Sequence, residues 1–267
     1  NNFEIKEVDN PDISKGEVLL KLIYVSVDPY IRGRMNDTKS YVAPYKLGEP
    51  IVSGVIAEVV ESKHTEFDKG DFVSARLPWT KYQVSNGEEL QKVDKTIQPL
   101  SLYLGLLGMP GMTAYMGLTE IGKPKRGETI VVSGAAGAVG SAVGQIGKIL
   151  GCRVVGIAGS DEKVEMLKSK FGFDEALNYN TTNNISEALS KLCPQGVDIY
   201  YDNVGGSISD AVHENINQFG RIVVCGAISL YNTTEIPTAP RVEGFLIKKS
   251  VLMQGFIVGN YANKFPE

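Results

Sequence analysis

The sequence predicts an α/β chain, a doubly wound parallel sheet preceded by a smaller β-rich domain. Three observations carry this. A β-branched run, Thr129 to Val132, enters glycines spaced G-x-x-G-x-x-G at Gly134, Gly137 and Gly140. An Ala/Gly/Ile/Leu pattern of helical period follows from Ser141 to Leu150. Further apolar runs then alternate with helix-like stretches at the spacing of βαβ units.

The first domain, residues 1–110, has a different texture from the rest. Apolar runs at Val18 to Val27, Ile51 to Val60 and Asp71 to Ala75 are separated by turn signals. These signals are Asn10-Pro11, Lys15-Gly16, Asp28-Pro29, Gly48-Glu49-Pro50 and Lys69-Gly70-Asp71. Short strands with frequent turns read as a barrel-like domain. Leu102 to Met109 and Thr113 to Ile121 read as helical, with Gly108-Met-Pro-Gly111 breaking the chain between them. The polar loop Lys123-Pro-Lys-Arg-Gly127 opens the sheet of the second domain, residues 111–267. A cleft between two such domains is the default ligand site.

In the second domain, strands are expected at Arg153 to Gly159, Glu175 to Tyr179, Val197 to Val204, Arg221 to Ala227 and Ser250 to Val258, with a helix over Asp161 to Phe171. Near-continuous apolar strands imply a parallel sheet covered on both faces. Gly159, Gly205-Gly206 and Gly226 fall at strand C-termini, where open α/β sheets bind ligands. Glycines at 134, 137 and 140, with Ala138 and Val139 between the last two, let the turn close and let backbone N–H groups approach a pyrophosphate, held at the N-terminus of the helix that follows. Alone, the triplet also fits a plain strand-to-helix turn; with the surrounding strands it predicts dinucleotide binding.

Composition narrows the function classes. The net charge of −4 argues against nucleic acid and anionic membranes as partners. No apolar run approaches the ~20 residues needed to span a bilayer, and no signal peptide is visible. The three cysteines, Cys152, Cys193 and Cys225, are isolated and read as reduced core thiols, which fits a cytoplasmic location.

The end of the second strand bears on which dinucleotide is bound. NAD sites place an Asp or Glu there, about 20 residues beyond the glycines, to bind the ribose 2′-OH. Here the strand ends Ile157-Ala158-Gly159-Ser160, small and uncharged, which leaves room for the 2′-phosphate of NADP(H). Ser160 can cap the next helix, and Lys163 can reach the phosphate as a point charge. Asp161 and Glu162 fit either the 2′-OH or a first-turn role favouring the helix dipole. Lys163 also fits an ordinary solvated lysine.

Five strings, in order, carry a family resemblance: Val27-Asp-Pro-Tyr-Ile-Arg-Gly-Arg34, Ser133-Gly-Ala-Ala-Gly-Ala-Val-Gly140, Gly159-Ser-Asp-Glu-Lys163, Tyr201-Asp-Asn-Val-Gly-Gly206 and Cys225-Gly-Ala-Ile-Ser-Leu-Tyr231. With them the chain resembles the zinc-independent medium-chain dehydrogenases/reductases, nearest the prostaglandin reductases and NADP-dependent 2-alkenal reductases. The resemblance implies a GroES-like barrel followed by a Rossmann-type domain. It also implies that the chain is a portion of a longer protein, since family members usually carry residues before its start and after its end.

Metal ligation is the first point the resemblance touches. Zinc sites need closely spaced Cys, His or acidic ligands. This chain has two histidines, no cysteine before Cys152 and no C-x-x-C cluster, and Gly48-Glu49-Pro50 stands where zinc alcohol dehydrogenases carry Gly-His-Glu. His64 is read as a solvated loop residue and His213 as a surface or helix-packing one. No metal is therefore expected.

For the cofactor, the resemblance implies contacts from Tyr179 near the 2′-phosphate, from Asn203, and from the loop of Cys225, Gly226, Ala227 and Ile228. Phe256, Ile257 and Val258 would approach the nicotinamide, or are simply core strand. The implied reaction is hydride transfer from NADPH to the β-carbon of an α,β-unsaturated aldehyde or ketone. Charge then develops on the carbonyl oxygen and needs a donor. Tyr231 is the candidate, because a phenol donates without ionising at neutral pH; a cofactor ribose hydroxyl could serve instead. Tyr30, Arg32, Tyr45 and Met109 are candidate substrate contacts or ordinary barrel packing, and Arg32 could pair with Asp28 or Glu49. The apolar sixth strand invites homodimerisation. Quinone reduction and non-catalytic NADPH binding remain as alternative functions.

Overall fold

The computed structural model describes residues 2–37, 40–235 and 237–265. The chain divides between Leu104 and Gly105 into two compact units. The first contains β1 (Val18–Val25), α1 (Tyr30–Arg34), β2 (Val52–Ser62), β3 (Phe72–Pro78), β4 (Tyr82–Ser85) and β5 (Gln91–Lys92). The strands form a five-stranded sheet in the order β4-β1-β2-β3-β5, antiparallel throughout. Alternation along the strands sends Val18, Leu20, Ala57, Val59 and Val73 into one core with Phe67 and Leu90. Full burial of each such Val or Leu contributes roughly 1.5–3 kcal/mol. Asp28-Pro29, expected to be only a turn, runs directly into the short helix α1.

The second unit contains α2 (Met109–Met116), a π-helical turn (Gly117–Gly122), β6 (Thr129–Ser133), α3 (Ala138–Ile149), β7 (Arg153–Ala158), α4 (Asp161–Ser169), β8 (Glu175–Asn178) and α5 (Ile185–Leu192). It continues through β9 (Val197–Asp202), α6 (Gly206–Asn215), β10 (Ile216–Val224), α7 (Glu243–Lys249) and β11 (Leu252–Gly255). The six strands form one sheet in the order β11-β10-β9-β6-β7-β8, with every pair parallel. From β6 the chain builds outward through β7 and β8, then returns to lay β9 against the other side of β6. The gap between β6 and β9 is therefore the switch point at which doubly wound sheets bind ligands. Helices cover both faces. Ile130 and Val132 of β6 enter a core with Leu118, Val143 and Val154, while Val131 faces Leu189, Val197 and Val212 on the other side.

Several boundaries differ from the sequence expectation. Gly108 to Gly111 does not separate two helices. Gly108 caps α2, and Pro110 sits in its first turn, where the N–H it lacks would have no helical partner anyway. Before it, only a 3₁₀ turn forms, over Leu100–Leu104. β10 starts at Ile216 rather than Arg221, with a register shift before Arg221 and Phe219 at φ +61°. β11 is shorter than Ser250 to Val258; Phe256 and Ile257 follow it and Val258 opens a 3₁₀ turn. Among the described residues no helix is long and apolar enough to cross a membrane.

His213 of α6 packs between elements, as one of its two expected roles required. Its ring stacks on Phe245 at 4.9 Å and meets Tyr200 edge-on at 6.2 Å. Burial pushes the imidazole below the ordinary histidine value, against the opposing pull of Asp202 and Asp210. The unfolded chain therefore binds this proton more readily than the folded one, and stability falls as pH drops below about 6.5. Urea unfolding at pH 7.5 and 5.5 should show that loss in the parent, and a smaller loss in His213→Leu.

Candidate functional site

The site is built on the C-terminal ends of β6, β7, β9 and β10. After Ser133 the chain turns at Gly134, whose φ of +58° suits glycine. Gly137 N–H closes the turn on Gly134 O at 3.0 Å. A β-carbon on Gly140 would lie 2.4 Å from Gly134 O and 2.8 Å from Ala135 Cα, so only glycine lets α3 start this close to the turn. No side chain caps α3, so the first-turn N–H groups of Ala138 and Val139 have no partner within the helix. A glycine cradle opening onto uncapped N–H groups fits the pyrophosphate of a dinucleotide.

Across the switch point a buried carboxylate ties these ends together. Asp202, the last residue of β9, is 3% exposed. Its Oδ1 accepts from the hydroxyls of Ser133 and Tyr200 and from the N–H groups of Val204 and Gly205, all at 2.9 Å. Its Oδ2 accepts from Ser209 Oγ at 2.5 Å. Asn203 N–H donates to Ser133 Oγ (2.9 Å) and Asn203 Nδ2 to Ser133 O (2.8 Å). Burial, and then the Asp202 carboxylate, push the Tyr200 phenol well above its ordinary value. Ser133 and Asp202 both lie within the strings that carry the family resemblance, yet sequence reasoning gave neither a role. Two polar residues closing apolar strands were the available signal.

At the end of β7, Ser160 caps α4 and accepts from Lys163 N–H at 3.3 Å. Asp161 Oδ1 accepts from Asn178 Nδ2 at 2.7 Å, so this carboxylate is engaged on β8. Tyr179 packs against Gly159, where a β-carbon would come within 2.9 Å of its hydroxyl. The exposed Lys163 ammonium makes no ion pair among the described residues. It is expected to serve the 2′-phosphate. Lys163→Ala should then raise the NADPH Kd about tenfold, equivalent to about 1.4 kcal/mol, and leave NADH binding unchanged in a fluorescence titration.

Beside this crevice, at the ends of β10 and β11, lies a cavity of about 470 Å³, bordered by Cys225, Gly226, Ala227, Tyr231, Phe256, Ile257 and Asn260. Of these, Asn260 was not expected from sequence. Ala227 N–H donates to Tyr231 Oη over a long 3.5 Å. The Tyr231 hydroxyl proton has no acceptor among the described residues. Behind this wall Tyr201 Oη donates to Thr113 O at 2.7 Å. Ile228 N–H donates to Asn203 O (3.3 Å) and Ser229 Oγ to Val204 O (2.6 Å), joining the loops after β9 and β10. Val258 borders no part of this cavity.

Burial keeps the three thiols protonated at neutral pH. Burial pushes Cys193 and Cys225 up to about 11, and raises Cys152 as well. Cys152 donates its S–H to Lys125 O at 3.4 Å.

In the first unit, Tyr30 and Arg32 lie on α1. Burial raises the Tyr30 phenol above its ordinary value, partly offset by Arg76. Arg32 Nη1 donates to Asn36 Oδ1 at 2.8 Å. Tyr45 is engaged in packing, with its hydroxyl on Val52 O at 2.8 Å and the Arg34 guanidinium 3.9 Å above its ring. Met109 begins α2 in the second unit and is 41% exposed. His64 is less solvated than expected; its Nδ1 accepts Glu66 N–H at 3.0 Å and its ring lies 5.1 Å from Phe67.

A sheet switch point carrying a glycine cradle, beside a cavity with a poised phenol, defines a dinucleotide-dependent oxidoreductase. Comparison with known proteins agrees. Residues 1–93 match a family model described as the N-terminal domain of oxidoreductase, and residues 138–267 one described as zinc-binding dehydrogenase. Among the described residues, no group of three or more His, Cys, Asp or Glu could hold a metal ion. The NADPH-dependent curcumin reductase of Escherichia coli is 46% identical over 271 residues, covering 100% of this chain and 78% of that protein. Prostaglandin reductase 1 of Mus musculus is 50% identical over 268 residues, covering 97% and 78%. The crystal structure of CurA from Vibrio vulnificus in complex with NADPH superposes with a TM-score of 0.92 at 46% identity, covering 99% of this chain and 80% of that one. The chain belongs to the zinc-independent branch of the medium-chain dehydrogenase/reductase family, and its cofactor is NADP(H).

Proposed function

We propose that the protein reduces the carbon–carbon double bond of α,β-unsaturated aldehydes and ketones, with Tyr231 as the donor to the carbonyl oxygen. The observation that carries this is the unused Tyr231 hydroxyl proton in the cavity beside the dinucleotide crevice. The names of two relatives support it, a curcumin reductase and a prostaglandin reductase, since curcumin is a conjugated enone. Bound NADPH supplies the hydride. The chain's own residues do the rest. The Gly134 to Gly140 turn holds the pyrophosphate, and Ser160, Lys163 and Tyr179 receive the 2′-phosphate. Phe256 and Ile257 give the cavity an apolar wall for the body of the substrate. Negative charge grows on the carbonyl oxygen as the β-carbon is reduced, and a pre-aimed O–H stabilises it more than it stabilises the ground state.

The test is loss of reduced-nicotinamide absorbance with a medium-chain 2-alkenal, run with NADPH and with NADH. Turnover with NADPH is the expected result. Turnover with a quinone but not with the alkenal would replace this function with quinone reduction. A homodimer formed across β11 is the proposed assembly, because β11 is a sheet edge and its Leu252 and the nearby Ile247 of α7 are exposed. A monomeric sedimentation coefficient would overturn that assembly. The absence of disulfides among its three cysteines is consistent with the proposed cytoplasmic location.

A further inference from the structure

The Asp202 carboxylate takes five hydrogen bonds, more than packing a strand end requires. Their arrangement is directional. Ser133 is the residue before the glycine turn, Val204 and Gly205 are the residues after Asn203, and Ser209 lies in the first turn of α6. One carboxylate thus joins the ends of β6 and β9 to the start of α6. Asn203 is held at two points against Ser133, through its own N–H and through Nδ2. That leaves Asn203 Oδ1 with no donor among the described residues. Gly205 sits at φ +70°, and a β-carbon there would come within 3.1 Å of Ala227 Cβ, so its position also fixes the loop that leads to Tyr231.

We propose that Asp202, acting with Ser133, is the positioning residue of the nicotinamide half of the cofactor crevice, holding Asn203 Oδ1 ready to accept from a cofactor hydroxyl or amide. The topology says which half. β7 carries Ser160 and Lys163 on one side of β6, whereas Asp202 and Asn203 lie on the other side, towards β10 and Tyr231. The adenosine and its 2′-phosphate therefore meet residues that Asp202 does not touch. The inference rests on NADP(H) binding and not on the enone assignment, so its test needs no substrate.

The experiment compares two ligands on three variants. Binding of NADPH, and of 2′-phospho-AMP, which lacks the nicotinamide half, is titrated by calorimetry. Thermal midpoints are recorded in parallel. Ser133→Ala and Asp202→Asn should weaken NADPH at least tenfold and change 2′-phospho-AMP less than twofold. Leu189→Ala, on the buried face of α5, is the stability control; it should lower the midpoint and leave both affinities unchanged. Should Asp202→Asn fail to fold, Ser133→Ala alone decides. Equal weakening of both ligands would overturn the proposal, because a general loosening of the unit would account for it. Unchanged NADPH affinity in Ser133→Ala would overturn it too.

Discussion

Gly140→Ala is expected to abolish useful NADPH affinity, raising Kd by a hundredfold or more. The single added carbon would meet Gly134 O at 2.4 Å, Ala135 Cα at 2.8 Å and Gly134 C at 3.0 Å. All three are backbone, so no side chain can rotate away, and either the turn opens or α3 retreats. Both movements spoil the cradle, because the unpaired N–H groups of Ala138 and Val139 ride on the same helix start. Overpacking of this kind typically costs about 1–3 kcal/mol in stability. Gly172→Ala is the control. Its φ of +70° strains a non-glycine residue, but nothing lies within 4 Å of the new carbon. It should cost roughly 1–2 kcal/mol and leave Kd unchanged. Fluorescence titration beside urea unfolding separates the two effects, and retained NADPH binding in Gly140→Ala would rule out the cradle as the pyrophosphate site.

Tyr231→Phe should lower kcat about a hundredfold, near 2.7 kcal/mol, the usual consequence of deleting one oxyanion donor. The ring remains to border the cavity, and the hydroxyl's one bond, from Ala227 N–H, is long at 3.5 Å. NADPH affinity and thermal stability should therefore stay near the parent's. An effect on kcat with little change in Kd is the pattern of an interaction made in the transition state. An unchanged kcat would pass the donor role elsewhere, to a cofactor ribose hydroxyl for example.

The sheet was legible in the sequence because its signals are local and redundant. Each strand from β6 to β9 is an apolar run closed by a turn, and each starts where its run starts. The failures have physical causes. Pro110 reads as a helix breaker, yet in a first turn it costs nothing, and only the helix position reveals that. β10 begins early because a bulged entry at Phe219 interrupts a run that looks polar at Gln218 and Gly220. The glycine turn was equally legible, since glycine spacing is set by backbone approach. Asp202 and Ser133 were not, because a carboxylate closing an apolar strand says nothing about its partners until strands 69 residues apart lie side by side. Tyr45 could be read as a substrate contact or as barrel packing, and its bonds to Val52 O and Arg34 are contacts that no local pattern encodes.

The state of the thiols has a consequence for the protein's survival in its own reaction mixture. Conjugated aldehydes and ketones alkylate thiolates, and the proposed substrates are of that kind. With Cys193 and Cys225 at about 11, the thiolate share at neutral pH is on the order of one in ten thousand. Cys225 borders the very cavity where such a substrate would be reduced, so its protonation is a form of self-protection. A conjugated substrate bound in that cavity would meet a protonated sulfur, a poor nucleophile toward its β-carbon.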